Sequence, residues 1–270
     1  MNEEIILIDG SIYLYRAYYG LPNLKNKLGQ PIGAIYGMIS MIKKILKKYT
    51  PYYVAIIFDS GKTTNKHKIY KLYKENRNKM PDNLHCQIPA IKKILKLMGL
   101  SVFSIDGIEA DDVIGSISKL LENQGKKSCI FTNDKDMMQL VSKDINIIHI
   151  NSYKKFDPHE VYLKYRVFPH VISDYLALVG DVSDNIPGVP GIGKKTASIL
   201  LTKFYSIQGI YNNLNIIKKM KFINKNKIID SLISNKNMVY IYHKLTKIDT
   251  NIKINFSIKD IRLKSKNYVK

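Results

Sequence analysis

Tryptophan is absent from this chain, and cysteine occurs only twice, at Cys86 and Cys129. Two cysteines so far apart, neither with a second metal-binding side chain two to four residues away, exclude a disulfide framework and a zinc module. They read as reduced, buried thiols. Long apolar runs are missing too, since none approaches the ~20 residues that span a bilayer. The amino-terminal end carries Glu3 and Glu4 before a short apolar stretch, so no signal peptide is expected and the protein reads as cytoplasmic. Acidic residues are scarce, 22 Asp and Glu against 43 Lys and Arg, for a formal charge of +21. That excess goes beyond what solubility needs and suits a polyanion, nucleic acid first among them. Part of it also fits AT-biased coding, because lysine, isoleucine and asparagine recur throughout. Hydrophobic residues still make up 45% of the 270 positions, enough for a sizeable core and against general disorder.

Short apolar runs alternate with helical patterns in the first half: Ile5 to Ile8, Val54 to Phe58, Val102 to Ile105, Ser128 to Phe131 and Ile145 to Ile150. Runs of this kind are buried strands of a mostly parallel sheet. Between them, Ile35, Met38, Ile39, Ile42, Ile45 and Leu46 fall on one stripe of a helix. From about Pro169 the strand signals fade, and Ile172 to Val179, Lys194 to Phe204 and Lys225 to Leu245 read as helices around Gly- and Pro-rich turns. The expected organisation is an α/β part over residues 1–168, a mostly parallel central sheet flanked by helices, followed by a smaller all-α part over 169–270. The Lys/Asn-rich segment from Asn212 to Asn237 is biased but keeps enough apolar residues to pack.

Three of the expected strands run into an acid: Ile8 into Asp9, Phe58 into Asp59, and Phe131 through Thr132 and Asn133 into Asp134. In open α/β sheets the crevice at the carboxyl ends of the strands binds ligands, so these acids should converge there. Glu109, Asp111 and Asp112 open a helix with the apolar stripe Ala110, Val113, Ile114, Ile117 and Leu121, and point to the same crevice. Asp134 with Asp136, and Asp181 with Asp184, add two more pairs; the spacing of the second puts both carboxylates on one helical face. Two bare carboxylates about 4 Å apart repel by roughly 4 kcal/mol at an effective dielectric near 20, so such a gathering implies bound cations. With no His or Cys interleaved, oxygen ligation favours Mg²⁺ or Mn²⁺ over zinc. Taken singly, each acid also reads as a helix cap or a first-turn charge. Caps, however, have no reason to gather at one sheet edge. Asp106, Asp144 and Asp157 lack that placement and read as turn or surface residues.

These residues resemble the 5′-nuclease domain of bacterial DNA polymerase I and, more broadly, the flap endonuclease superfamily. The matching segments are Ile8-Asp9-Gly10-Ser11 with Tyr15-Arg16-Ala17, Phe58-Asp59, Tyr73-Lys74 with Arg77, Gly107 to Asp112, Thr132 to Asp136 and Gly180 to Ala197, with weaker similarity through Leu245 to Thr250. The resemblance implies a PIN-like or resolvase-like nuclease core with a helical arch and a helix-two-turn-helix lobe. It also implies a phosphodiesterase in which two metal ions activate water and stabilise the attacking and leaving oxygens. Asp9, Asp59, Glu109, Asp111 and Asp112 match the acids around one ion, and Asp134, Asp136, Asp181 and Asp184 those around the other.

From Lys62 to Lys79, basic residues interleave with Tyr70 and Tyr73, a composition suited to tracking a single-stranded backbone, although a solvated basic helix has the same pattern. The segment resembles the arch through which a 5′ end passes. By that resemblance Lys74 and Arg77 neutralise the scissile phosphate, Tyr73 stacks on a base, and Lys66 binds DNA. Asn65, Lys66 and Lys68 depart from the Phe, Arg and Glu that relatives often carry, and Lys lacks the bidentate fork of Arg. Gly188 to Gly193, followed by Lys194 and Lys195, places a glycine turn before a helix N-terminus, which exposes backbone amides to phosphate; a plain turn is the simpler alternative. By resemblance Gly188, Gly191, Gly193, Lys194 and Lys195 grip the duplex, and the turn is one that often holds K⁺.

The expected activity is that of a 5′-3′ exonuclease and flap endonuclease, removing RNA primers or displaced 5′ strands. Its expected partners are DNA with 5′ flaps, nicks or RNA primers, and a polymerase and ligase on separate chains, since the sequence stops at Lys270 without a polymerase segment. A monomer associated with the nucleoid is expected. Two alternatives are a catalytically silent DNA-binding module and a ribonuclease with a related acidic site.

Overall fold

The computed structural model describes residues 4–220 and 225–264. Residues 221–224 of the Lys/Asn-rich segment lie outside the described residues, as do Glu3 and Lys270. The α/β lobe runs β1 (Ile5–Asp9), α1 (Gly10–Gly20), α2 (Gly33–Tyr49), β2 (Val54–Ile57), α3 (Asn65–Ile69), α4 (Asp82–His85), α5 (Ile88–Leu97), β3 (Ser101–Phe103), α6 (Ala110–Asn123), β4 (Ser128–Thr132), β5 (Ile145–His149), β6 (Lys155–Phe156) and α7 (Pro158–Tyr165). The helical lobe is α8 (Ile172–Val179), α9 (Lys194–Phe204), α10 (Ile207–Asn212), α11 (Leu214–Lys219), α12 (Lys225–Ser234) and α13 (Lys236–Thr246).

The strands form one six-stranded sheet in the order β3-β2-β1-β4-β5-β6. All neighbours are parallel except the β5–β6 pair. A strand such as Ile5-Ile6-Leu7-Ile8 is buried along its whole length because helices cover both faces of the sheet. Ile5 and Leu7 face α6 and the helical lobe, whereas Ile6 and Ile8 face α1, α2 and α5. From β1 the chain builds outward through β2 and β3, then returns to place β4 on the other side of β1. Strand order therefore reverses between β1 and β4, and the crevice at their carboxyl ends is where such sheets bind ligands. Asp9 ends β1 at that point, and Asp134 follows β4.

Gly10 is required there. A side chain at this position would place its Cβ 2.8 Å from the carbonyl oxygen of Ile57, so only glycine lets α1 start while pressed against β2. The helical lobe shares the core on the α6 side, with Leu176, Ala197, Leu201 and Val239 buried alongside Ile114 and Ile117. After α13 the chain returns as a strap over α6. The backbone N–H of Asp249 donates to Asp112 (2.9 Å), and Ser116 donates to the carbonyl of Asp249 (3.1 Å).

Several expectations need correction. Lys225 to Leu245 is two helices, not one, because the chain breaks at Asn235. Asn235 and Ser234 turn their side chains back onto the carbonyls of Ser231 and Asp230 and so compete with the helix. The third strand lies at Ser101–Phe103 rather than Val102 to Ile105, because the turn at Asp106 and Gly107 takes the chain off the sheet. The antiparallel edge strand β6 carries only two residues, too few to leave a periodic signal. Cys129 is buried as expected, but Cys86 is exposed.

Replacing Gly10 by Ala should destabilise the protein by about 1–3 kcal/mol, the usual range for overpacking a filled site. Urea denaturation of the wild type and the variant checks this, and an unchanged midpoint would count against the close approach of α1 to β2.

Candidate metal centre and its basic cover

Asp9 is built in by two contacts. One carboxylate oxygen caps α1 by accepting from the N–H of Ile12 (3.1 Å), and the other accepts from Thr132 on β4 (3.0 Å). Asp59 lies just past β2; its N–H donates to Ser11 (2.9 Å), and its carboxylate accepts from Ala110 N–H at the start of α6 (2.9 Å). The α6 N-terminus carries Glu109, Asp111 and Asp112, where the helix dipole favours negative charge. Asp134 is held by its neighbours: its N–H donates to Thr132 (3.0 Å), and its carboxylate accepts from Asp136 N–H (2.9 Å).

Asp181 and Asp184 flank a tight 3₁₀ turn over Val182–Asp184, not one face of an α-helix as expected. The three-residue spacing still aligns them, because a 3₁₀ helix has three residues per turn. Asp136, Asp181 and Asp184 bring carboxylate oxygens within 4.8 Å of one another. All three are buried, and one oxygen of Asp136 is buried without a hydrogen-bond partner.

The charges report the crowding. Burial, reinforced by Asp59 and Asp134, pushes the Asp9 carboxyl up to about 7. Burial and then Asp134 and Asp9 push Asp111 well above the usual carboxylate range. Burial, with Asp134 and Asp181 next, does the same to Asp136, and burial raises Asp134. Asp134 thus lies close enough to repel Asp9 and Asp111 as well as Asp136, Asp181 and Asp184. Asp181 goes the opposite way: burial opposes ionisation, but bonds from Lys135 and Ser183 outweigh it. A site of three close carboxylates with an orphaned buried oxygen and no nitrogen or sulfur donor fits a hard divalent cation.

Asp112 is the exception among the nine. One of its oxygens accepts from the strap N–H of Asp249 (2.9 Å), and among the described residues it pairs with Lys66 at 3.8 Å. It therefore ties the two lobes together beside the mouth formed by the other acids.

A basic segment covers that mouth. Lys66 and Lys74 donate to Glu109 at 3.2 and 3.0 Å, and Arg77 donates to Asp184 at 2.7 Å. Burial alone would raise Glu109, yet the two ammonium groups hold it at about 2. The segment from Lys62 to Lys79 that resembles the arch is helical only over α3, with turns after it. Tyr73 departs from the expected base-stacking position. The residue is 1% exposed, with its hydroxyl within hydrogen-bond distance of Glu109 (3.2 Å) and Asp184 (3.0 Å). Burial and these two carboxylates raise the Tyr73 hydroxyl far above its ordinary value.

Sequence reasoning missed Lys135, which pairs with Asp181, and Thr132, which orients Asp9. Both lie inside the quoted motif from Thr132 to Asp136; a basic residue between two acids was the available signal. Of the remaining acids, Asp157 caps α7, Asp106 pairs with exposed Lys62, and Asp144 lies near Lys143.

Beyond Asp181 the chain turns through Gly188 to α9. Gly188 has φ 74°, and a side chain there would meet the backbone nitrogen of Gly180 at 2.4 Å, so glycine is required by both conformation and space. Gly191 and Gly193 are exposed, Gly193 starts α9 without a side-chain cap, and Lys194 and Lys195 are exposed in its first turn. A cleft of about 720 Å³ is lined by Lys135, which pairs with Asp181, and by Lys164, Gly180 and Lys194 at the start of α9.

The 5′-3′ exonuclease N-terminal resolvase-like domain matches residues 4–166, and the 5′-3′ exonuclease C-terminal SAM fold matches residues 167–268. The chain belongs to the 5′-3′ exonuclease family. It is 47% identical over 264 residues to a 5′-3′ exonuclease of Buchnera aphidicola from Acyrthosiphon pisum, covering 97% of this chain and 92% of that protein. It is 37% identical to a 5′-3′ exonuclease of Aquifex aeolicus, covering 97% of this chain and 87% of that protein. A match at 38% identity to DNA polymerase I of Caldicellulosiruptor bescii spans 98% of this chain but 31% of that protein. In fold it is similar to the T5 5′-exonuclease with divalent metal ions (zinc) bound, at TM-score 0.72 and 22% identity over 92% of this chain and 90% of that one. It is also similar to the catalytic core of Rad2 in complex with DNA substrate, at TM-score 0.61 and 16% identity, covering 92% and 81%. As a member of this exonuclease family the chain is a nuclease. No described helix is long and apolar enough to cross a membrane.

At neutral pH the folded state bears a carboxylate repulsion that the unfolded chain does not. Asp136→Asn should therefore raise Tm in EDTA, by about 2–4 °C for each ~1 kcal/mol relieved, and reduce the further rise on adding Mg²⁺. Thermal denaturation with and without Mg²⁺ measures both, and a lower Tm in EDTA would show that the cluster is not under repulsive load.

Proposed function

We propose that this nuclease hydrolyses phosphodiester bonds near free 5′ ends of DNA, as an exonuclease and flap endonuclease, with two Mg²⁺ ions held by the acidic mouth. The carrying observation is the convergence of Asp9, Asp59, Asp111, Asp134, Asp136, Asp181 and Asp184 at the point where strand order reverses, with a buried oxygen of Asp136 left unpartnered. Asp9, Asp59, Glu109, Asp111 and Asp112 would hold one ion, and Asp134, Asp136, Asp181 and Asp184 the other. When bound, the ions supply Lewis acidity and charge compensation for the attacked phosphate.

The chain's own residues supply position. Thr132 and the α1 amides fix Asp9, and the α6 N-terminus fixes Asp59, so neither carboxylate reorganises as charge develops. Lys74 and Arg77 already sit on the carboxylates at distances near 3 Å. An arriving phosphate displaces them only slightly to gain two positive charges. Lys66 and Tyr73 reach DNA by leaving Glu109 and Asp184, so their role requires the cover to lift.

The lobe boundary falls at residue 168: 1–168 carries most of the acids, and 169–270 adds Asp181 and Asp184 to the second ion and grips the duplex. The amides of the Gly188–Gly193 turn, with Lys194 and Lys195, hold a duplex phosphate, and a K⁺ ion sits at the turn. The substrates are flaps, nicks and RNA-primed 5′ strands, met by a monomer acting on nucleoid DNA in the cytoplasm, with a polymerase and ligase completing the repair.

On a labelled 5′-flap duplex, Mg²⁺ should give cleavage that EDTA abolishes. Asp134→Ala or Asp181→Ala should reduce turnover more than about 100-fold while leaving duplex binding in Ca²⁺ nearly intact. Binding without cleavage under any divalent ion would make the chain a silent DNA-binding module instead.

A further inference from the structure

A second cavity of about 480 Å³ opens beside the acidic mouth, between α1, the Asp59–Gly61 loop and the start of α5. Its size is that of small-ligand sites, ~300–1,000 Å³, and no role above makes use of it. Asp59 belongs both to its wall and to the mouth, so a group held in the cavity lies next to the site of cutting. Tyr15, Phe58 and Met80 give it an apolar wall, while Arg77 and Lys92 give it positive charge and His85 an imidazole.

The basic groups differ in their commitments. Arg77 is bound to Asp184 at 2.7 Å. Lys92 places its ammonium 5.3 Å from the centroid of the Phe58 ring, and among the described residues neither Lys92 nor His85 forms an ion pair with a carboxylate. A flat apolar surface beside two uncommitted cationic or hydrogen-bonding groups matches a ligand with a planar ring and an anion. A terminal phosphate monoester carries about −1.5 to −2 charges near neutrality, more than the single charge of a backbone diester, and so suits two such groups better.

We propose that this cavity holds the 5′-terminal nucleotide of the strand being cut, its base against Tyr15 and Met80 and its terminal phosphate on Lys92 and His85. The inference rests on the nuclease reading and deepens it: the enzyme selects 5′-phosphorylated ends. Aromatic and thioether surfaces accept any base face, so the cavity distinguishes the end group and not the sequence.

The test compares nicked duplexes that differ only in a 5′-phosphate or a 5′-hydroxyl. The wild type should prefer the phosphate in kcat/KM on the order of ten-fold, the usual worth of a charge-assisted contact. Lys92→Ala and His85→Ala should each bring that ratio toward one, whereas Lys93→Ala, outside the cavity, should preserve it. Equal kcat/KM in the wild type, or a ratio untouched by Lys92→Ala, overturns the proposal. So does a Lys92→Ala variant that cuts both substrates more slowly by the same factor, because the cavity then serves a passing backbone. Calorimetry with thymidine 5′-monophosphate and with thymidine reads the cavity without any cutting. Binding of the monophosphate alone, lost in Lys92→Ala, supports the assignment; no binding, or equal binding of thymidine, overturns it even where DNA is cleaved.

Discussion

Carboxylates crowded at the carboxyl ends of parallel strands repel one another, and every other feature of this molecule is arranged around that repulsion. The sheet creates the crowding, because reversal of strand order between β1 and β4 puts Asp9 and Asp134 side by side. Local structure fixes each acid before any ligand arrives: Asp9 caps α1, Asp59 caps α6, and Asp181 caps the 3₁₀ turn that carries Asp184. Acids held this firmly cannot relax away from each other, which is why burial and neighbouring charge lift Asp9, Asp111 and Asp136 together.

Compensation comes from the basic segment between β2 and α5. Lys66, Lys74 and Arg77 reach the acidic rim from above, and Tyr73 adds a neutral donor between Glu109 and Asp184. These cations neutralise Glu109 and Asp184 but leave Asp136 with an unpartnered oxygen. The rim is satisfied by the protein and the centre is not. That division matches a site whose centre takes metal ions and whose rim exchanges protein cations for those ions and a phosphate. The net charge of +21 then acts at longer range, drawing a polyanion to the mouth despite its local negative charge.

Much of this was legible in the residues. Apolar runs ending in acids gave the sheet and the crevice, since a buried parallel strand is continuous in hydrophobicity and its end is marked by the first charge. The stripe of α2 and that of α6 fell where expected. What was not legible depends on contacts distant in sequence. Tyr73 matches a base-stacking position by resemblance, and only the fold shows it buried with its hydroxyl between two carboxylates. Asp112 shares a helix start with Asp111, but a backbone N–H from Asp249 claims its oxygen. The break at Asn235 and the two-residue β6 are decided by side-chain back-bonding and by an edge pairing, which leave no periodic trace.

The proposed chemistry requires two divalent ions in the unsatisfied centre of the acidic mouth. Anomalous diffraction from crystals grown in Mn²⁺ tests it most directly. Two peaks are predicted, one among Asp9, Asp59 and Asp111 and the other among Asp134, Asp136, Asp181 and Asp184. Crystals with no manganese at the mouth, or with manganese only at exposed acids such as Asp106, would contradict it.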